Sequence, residues 1–197
     1  MKTVVKFNLI MLITAFFISS TAIAQHVNFG VKGGVNLYNV INENSSNYNS
    51  KVGIHLGLLA HIHLDKSIAL QPELVYSTQG GKFVSNGIDY NLKLNYINVP
   101  VLLQYMFDNG FRLEAGPQLG FLINAKSDSK NSSTDVKANF KAIDFAVAIG
   151  VGYIKPSTRF GVDFRYNVGL NDINKSDLVN SSNRGFQLGV FYQFKHK

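Results

Sequence analysis

His61 and His63, together with the carboxylates Glu73, Glu114, Asp144 and Asp163, are the residues of this 197-residue chain whose types and spacing could do chemistry. The two histidines stand two apart, so on an extended segment they share a face, and Glu73 falls diagonally across on what reads as the next segment. Imidazoles beside a carboxylate suit zinc or copper, which makes this trio the metal-binding alternative. The four carboxylates could work in pairs as general acid and base. Each of them, however, has a basic candidate nearby in the pattern, among Lys32, Arg112 and Arg165. The plainer reading is one polar network of structural ion pairs, with no catalytic residue, no metal and no cofactor. No Ser/His pair with an exposed nucleophile can be singled out. The chain has no cysteine, which removes disulfides and thiolate metal sites.

The elements that must position these groups are visible in the alternation. From Arg159 to Leu170 the even positions are Phe160, Val162, Phe164, Tyr166, Val168 and Leu170, whereas the odd ones include Asp163 and Arg165. A β-strand sends successive side chains to opposite faces, so this stretch has one apolar and one polar face. It has about the length that a tilted strand needs to cross a bilayer. The same pattern recurs around Asn28–Tyr38, Val52–Leu64, Ile68–Ser77, Leu92–Phe107, Phe111–Ala125, Ala142–Ile154 and Phe186–Phe194, giving eight strands. In the fourth, apolar residues are even at Leu92, Leu94 and Tyr96 and odd from Ile97 onward, a phase slip that a β-bulge near Tyr96 would explain.

Between the strands, long polar connections at Asn39–Ser50, Gly80–Asn91, Lys126–Asn139 and Asn171–Asn183 alternate with turns at Asp65-Lys66-Ser67, Asp108-Asn109-Gly110 and Pro156-Ser157. Short turns on one side and long loops on the other are what bacterial outer-membrane barrels show. Met1–Ala24 reads as a secretory signal: Lys2 and Lys6 precede an apolar run, and Ala22-Ile23-Ala24 fits a cleavage site. Residues 25–197 then form the barrel domain. After Ala24 no apolar run reaches the length of about 18 residues that a membrane helix needs. The net charge is +7 without a clustered basic stripe, so nucleic acid is not an indicated partner.

Whether the apolar face looks at lipid or into a soluble, lipocalin-like core is decided by glycine. Of the 17 glycines, 12 fall on the polar phase of a strand. A polar face open to water has no use for so many small residues, whereas the lumen of an eight-stranded barrel is barely wide enough for its own side chains. The polar face is therefore the interior, and Lys32, Glu73, Arg112, Glu114, Asp144, Asp163 and Arg165 form a lumen network. A turn at Pro156-Ser157 sets Arg165 opposite Ala148 and Asp163 opposite Gly150, large against small. Tyr76, Phe107, Phe111, Tyr153 and Phe194, near strand ends, suit interfacial girdles. Pro100 and Pro117 become neighbours across a hairpin, and the alternation leaves Pro72 without an explanation.

Several segments resemble the outer-membrane β-barrel domain proteins of Bacteroidota known as the PorT family. They are Gly30-Val31-Lys32-Gly33-Gly34-Val35-Asn36, Leu70-Gln71-Pro72-Glu73-Leu74-Val75-Tyr76-Ser77, Tyr96-Ile97-Asn98-Val99-Pro100, Gly116-Pro117-Gln118-Leu119-Gly120, Gly150-Val151-Gly152-Tyr153 and Tyr166-Asn167-Val168-Gly169-Leu170. The resemblance implies an outer-membrane barrel, with namesake members similar to factors of gliding and type IX secretion, and it transfers no catalytic motif. Lys195-His196-Lys197 follows Phe194, where such barrels usually finish on or near an aromatic residue. The expected architecture is an all-β, eight-stranded antiparallel up-and-down transmembrane barrel with a filled lumen. The expected role is non-enzymatic, through external loops or as an envelope structural or assembly component; the alternatives are a secretion or gliding component and a narrow channel. The expected partners are outer-membrane lipid, the barrel assembly machinery and envelope or secretion proteins.

Overall fold

The computed structural model describes residues 27–42, 49–85, 87–130, 132–176 and 180–194. The expected signal segment, the connection 43–48 and the terminal Lys195-His196-Lys197 lie outside these. The strands are β1 (Val27–Asn42), β2 (Asn49–His63), β3 (Ile68–Ser85), β4 (Ile88–Met106), β5 (Phe111–Ser129), β6 (Ser132–Asp135), β7 (Ile143–Ile154), β8 (Phe160–Gly169) and β9 (Ser181–Gln193).

Eight of these strands form an antiparallel ring in which each pairs with its neighbour in sequence, β7 with β5 across the short β6, and β9 with β1 to close it. Closure leaves the long strands no free edge. β6 pairs only with β5, so the third long connection is partly a hairpin standing on the rim. Outside, Val52, Leu56, Ile149, Phe164 and Val190 are exposed; inside, Lys32, Glu73, Arg112, Glu114, Asp144, Asp163 and Arg165 are buried. At the short-turn end, aromatic rings adjoin one another: Tyr105 against Phe107 at 5.0 Å, Phe107 against Phe111 at 5.8 Å and Phe160 against Tyr192 at 4.8 Å.

The two three-residue turns form as expected, with Leu64 N–H donating to the Ile68 carbonyl and Phe107 N–H to that of Phe111. Gly110 supplies a φ of 89°, which suits the last turn position. Four features differ from the sequence reading. Gly80–Asn91 is not a loop: β3 and β4 stay paired up to Ser85 and Ile88, and Phe83 stacks on Tyr90 at 5.1 Å. The turn after β7 is wider than Pro156-Ser157, because Arg159 closes it at a φ of 61°. Arg165 therefore faces Gly150, Asp163 faces Gly152, and Ala148 faces Asn167. The shift is by two residues, so each side chain keeps its face and the pairing of large against small is tighter than expected.

The other two concern the fourth strand and the prolines. β4 keeps one phase throughout, and its register with β3 is unbroken. The irregularity lies on the partner strand: Asn95 faces Asn124 and Tyr96 faces Leu122, which leaves Ile123 of β5 unmatched. The Ile123 carbonyl accepts a hydrogen bond from Lys137 Nζ at 2.8 Å. The ladders skip rungs at Gln71 and Pro72 between β2 and β3, at Val99 and Pro100 between β3 and β4, and at Gly116 and Pro117 between β4 and β5, with the same register on either side. Each proline thus turns its missing N–H toward the preceding strand and keeps its pairing with the next. Pro72, opposite Val101, joins Pro100 and Pro117 in one diagonal row across the wall.

Candidate functional site

The lumen is stacked in tiers because β-strands crossing the wall deliver an inward side chain at every second residue. At the short-turn end the Arg112 guanidinium stacks over the Phe191 ring, 5.2 Å from its centroid, and its Nη1 donates to Gln104 Oε1 at 3.3 Å. Phe191 occupies the space that any side chain at Gly161 would need. His61 and His63 meet edge to face at 4.5 Å, and His61 Nδ1 lies 3.3 Å from Gln71 Oε1. Gln71 in turn donates to Glu73 at 2.7 Å, so an amide stands between the histidines and that carboxylate. Among the described residues, no group of three or more His, Cys, Asp or Glu side chains is placed to hold a metal ion.

The middle tier is charged. Arg165 donates to both oxygens of Glu73, at 2.7 and 2.8 Å, and its Nε donates to Glu114 Oε1. Lys32 Nζ lies 3.3 Å from Glu73 and 3.3 Å from Asp163. Gln104 completes Glu114 with a donated bond of 2.7 Å. β1, β3, β5 and β8 thus each supply charged groups, and two buried cations, Lys32 and Arg165, face the three buried carboxylates Glu73, Glu114 and Asp163. The parallel pair of bonds from one guanidinium to one carboxylate is the strong geometry for such a contact.

Asp144, placed with these groups by the sequence reading, sits apart from them. It is near the long-loop end of the lumen, where Asn183 Nδ2 donates to its Oδ2 at 2.9 Å, and it makes no ion pair among the described residues. Beside the charged tier, next to Asp163, lie groups that the sequence reading missed: His55 Nδ1 is 2.7 Å from Asn36 Oδ1, and Asn36 donates to Ser77 Oγ at 2.9 Å.

Above that tier the lumen turns apolar. Val40, Leu92, Leu94, Tyr96, Leu122, Ala125 and Ile173 form one buried cluster, with Phe83, Val136 and Phe140 packed against it. Ile173 comes from the connection between β8 and β9, whose backbone is tied across the mouth: Lys141 N–H donates to the Ile173 carbonyl, and Ile173 N–H to that of Ser181. Asp172 anchors this lid by accepting the N–H groups of Ser181 at 2.8 Å and Asn174 at 3.0 Å and pairing with Lys141 at 3.0 Å. Partial burial pushes its carboxyl up, but those donors outweigh the effect and hold it below the ordinary carboxylate range. The apparent phase slip at Leu92, Leu94 and Tyr96 was the trace of this plug.

A closed ring of tilted strands, an apolar outer wall and a polar interior under a plug is an outer-membrane architecture, and the sequence agrees with it. Residues 23–175 match the family model described as outer membrane protein beta-barrel domain. The chain belongs to that family. Among solved structures, Neisserial surface protein A is similar over 86% of this chain and 100% of its own, with a TM-score of 0.58 and 19% identity. The attachment invasion locus protein Ail of Yersinia pestis covers the same shares with a TM-score of 0.51 and 16% identity. At those identities the likeness is one of fold. A search of curated proteins finds no match. The protein is a small outer-membrane β-barrel.

Proposed function

We propose that this barrel is non-enzymatic and non-conducting, and that it acts at the cell envelope through its long-loop face or as a structural or assembly component. The observation that carries this reading is the double closure of the lumen, by the Arg165 tier across its middle and by the Ile173 plug at its mouth. Glu73, Glu114 and Asp163, which could do proton chemistry, are instead held in ion pairs with Lys32 and Arg165 inside that closure. What is left for recognition is the outer wall, which faces lipid, and the loop face, where Lys82, Lys93, Lys126 and Lys137 are exposed. Barrel assembly machinery and neighbouring envelope proteins are the natural partners of such a surface.

A second reading, a component of a type IX secretion or gliding apparatus, is favoured by the PorT-like segments quoted above. Deleting the gene and assaying secretion and gliding separates the two. Conductance in planar bilayers tests the closed lumen: the expected result is a silent membrane at protein levels where a known porin conducts. Steady openings of uniform size would overturn it.

A further inference from the structure

The tier beneath the plug holds a buried carboxylate that has no counter-ion among the described residues. Asp144 is 6% exposed, one of its oxygens accepts from Asn183, and the other, Oδ1, has no partner among the described residues. The remaining lumen carboxylates, Glu73, Glu114 and Asp163, each lie in an ion pair with Lys32, with Arg165 or with both. Lys51, another cation buried among the described residues, points elsewhere, with its Nζ donating to the Gln79 carbonyl at 2.8 Å. An isolated anion in so dry a place is costly unless something of opposite charge reaches it.

The groups around Asp144 are rich in neutral oxygens and short of partners. Asn183 Oδ1 is buried without a hydrogen-bond partner among the described residues, and the buried Tyr38 hydroxyl has only the Asn167 amide beside it. Tyr38 lies within electrostatic reach of Asp144. The Tyr96 hydroxyl shares the Asn183 donor at 3.3 Å. Gly120 faces Asn98 on one side and Asp144 on the other, and the space of its missing side chain is bounded by Asn98 Oδ1 at 2.9 Å and Asp144 Cβ at 3.4 Å. These residues come from β1, β4, β5, β7, β8 and β9, so the ring itself assembles them.

We propose that this tier binds one monovalent alkali cation, Na⁺ or K⁺, with Asp144 supplying the charge and Asn183, Asn98, Tyr38 and Tyr96 supplying neutral oxygens. Hard cations select oxygen donors of this kind, carboxylate, amide carbonyl and hydroxyl together. A single carboxylate balances a single positive charge, whereas a divalent ion would leave one charge uncompensated in the lumen. The site needs no second carboxylate or histidine, which distinguishes it from a transition-metal site.

The test compares the refolded barrel in NaCl, KCl and N-methylglucamine chloride at equal ionic strength. The expected result is an unfolding midpoint that rises saturably with Na⁺ or K⁺ above its N-methylglucamine value. Excess ²³Na relaxation that added K⁺ suppresses is expected beside it. Asp144→Asn, which keeps an oxygen to accept from Asn183, should lose both effects. If that variant does not fold, the wild-type relaxation and midpoints decide alone. Equal midpoints in all three salts with no excess relaxation would overturn the proposal. So would an infrared band of a protonated carboxylic acid in the wild type that disappears in Asp144→Asn, since a proton would then be what neutralises the group.

Discussion

Replacing Arg165 with methionine is expected to destabilise the barrel by about 3–5 kcal/mol, the usual cost of removing one partner from a buried ion pair. The Arg165 side chain is 3% exposed and holds Glu73 and Glu114 at once. Its loss leaves two carboxylates that Lys32 and Arg112 are not placed to satisfy together. Methionine keeps much of the volume, so the loss reports charge rather than a cavity. Arg165→Lys should recover only part of the stability, because an ammonium cannot make the forked contact with both Glu73 oxygens. Arg165→Met combined with Glu73→Gln should be less unstable than the single charge deletion. Urea titration of the barrel in lipid vesicles measures all three, and an unchanged midpoint in Arg165→Met would contradict the placement of this residue.

Ile149→Arg on β7 is the second large expected effect, a loss of about 2–4 kcal/mol for a charge on the lipid face near the bilayer midplane. Ile149 is 57% exposed, flanked on its ladders by Ala115 and Tyr166. The sign is the informative part. On a water-facing surface, replacing a highly exposed isoleucine with arginine is close to neutral. Vesicle-based unfolding therefore separates a membrane wall from a soluble barrel with one substitution, and a neutral result would favour water.

How far the sequence could be read follows from what alternation carries and what it does not. A period of two tells which residues share a face, so Asp163, Arg165 and Asn167 could be assigned to the interior and Phe164 and Tyr166 to the exterior from β8 alone. Glycine on the polar phase then identified that face as the crowded one. Contacts across the lumen depend on how the ring closes and staggers, which no single strand encodes. Arg165 and Glu73 are 92 residues apart. For that reason the grouping of Asp144 with the charged tier failed, although its face was right. A two-residue register shift after β7 was equally hidden, because it preserves the phase on which the sequence reading rested.

The plug at the long-loop end was legible but misread. Leu92, Leu94 and Tyr96 occupy the same phase as Asn98 and Gln104, and the simplest pattern rule treats an apolar residue on a polar face as a slip of the strand. In the fold they stay inward and the interior itself changes character, from charged to apolar, toward the mouth. Ile173 could not be found by periodicity, since it lies in a connection. Pro72 gained its explanation only beside Pro100 and Pro117, once three strands stood next to one another.

The central claim is that the apolar phase of each strand faces hydrocarbon and the other phase faces a packed interior. The chain contains no tryptophan, so a single introduced one is an unambiguous reporter. Phe164 is 46% exposed on the outer wall and Phe191 is 4% exposed inside, which makes Phe164→Trp and Phe191→Trp a matched pair of aromatic exchanges. The measurement is tryptophan fluorescence of each variant in vesicles with and without brominated acyl chains. Strong quenching of Phe164→Trp by the brominated lipid, with Phe191→Trp spared, is the result this account predicts; an unquenched Phe164→Trp, or quenching of Phe191→Trp instead, would contradict it.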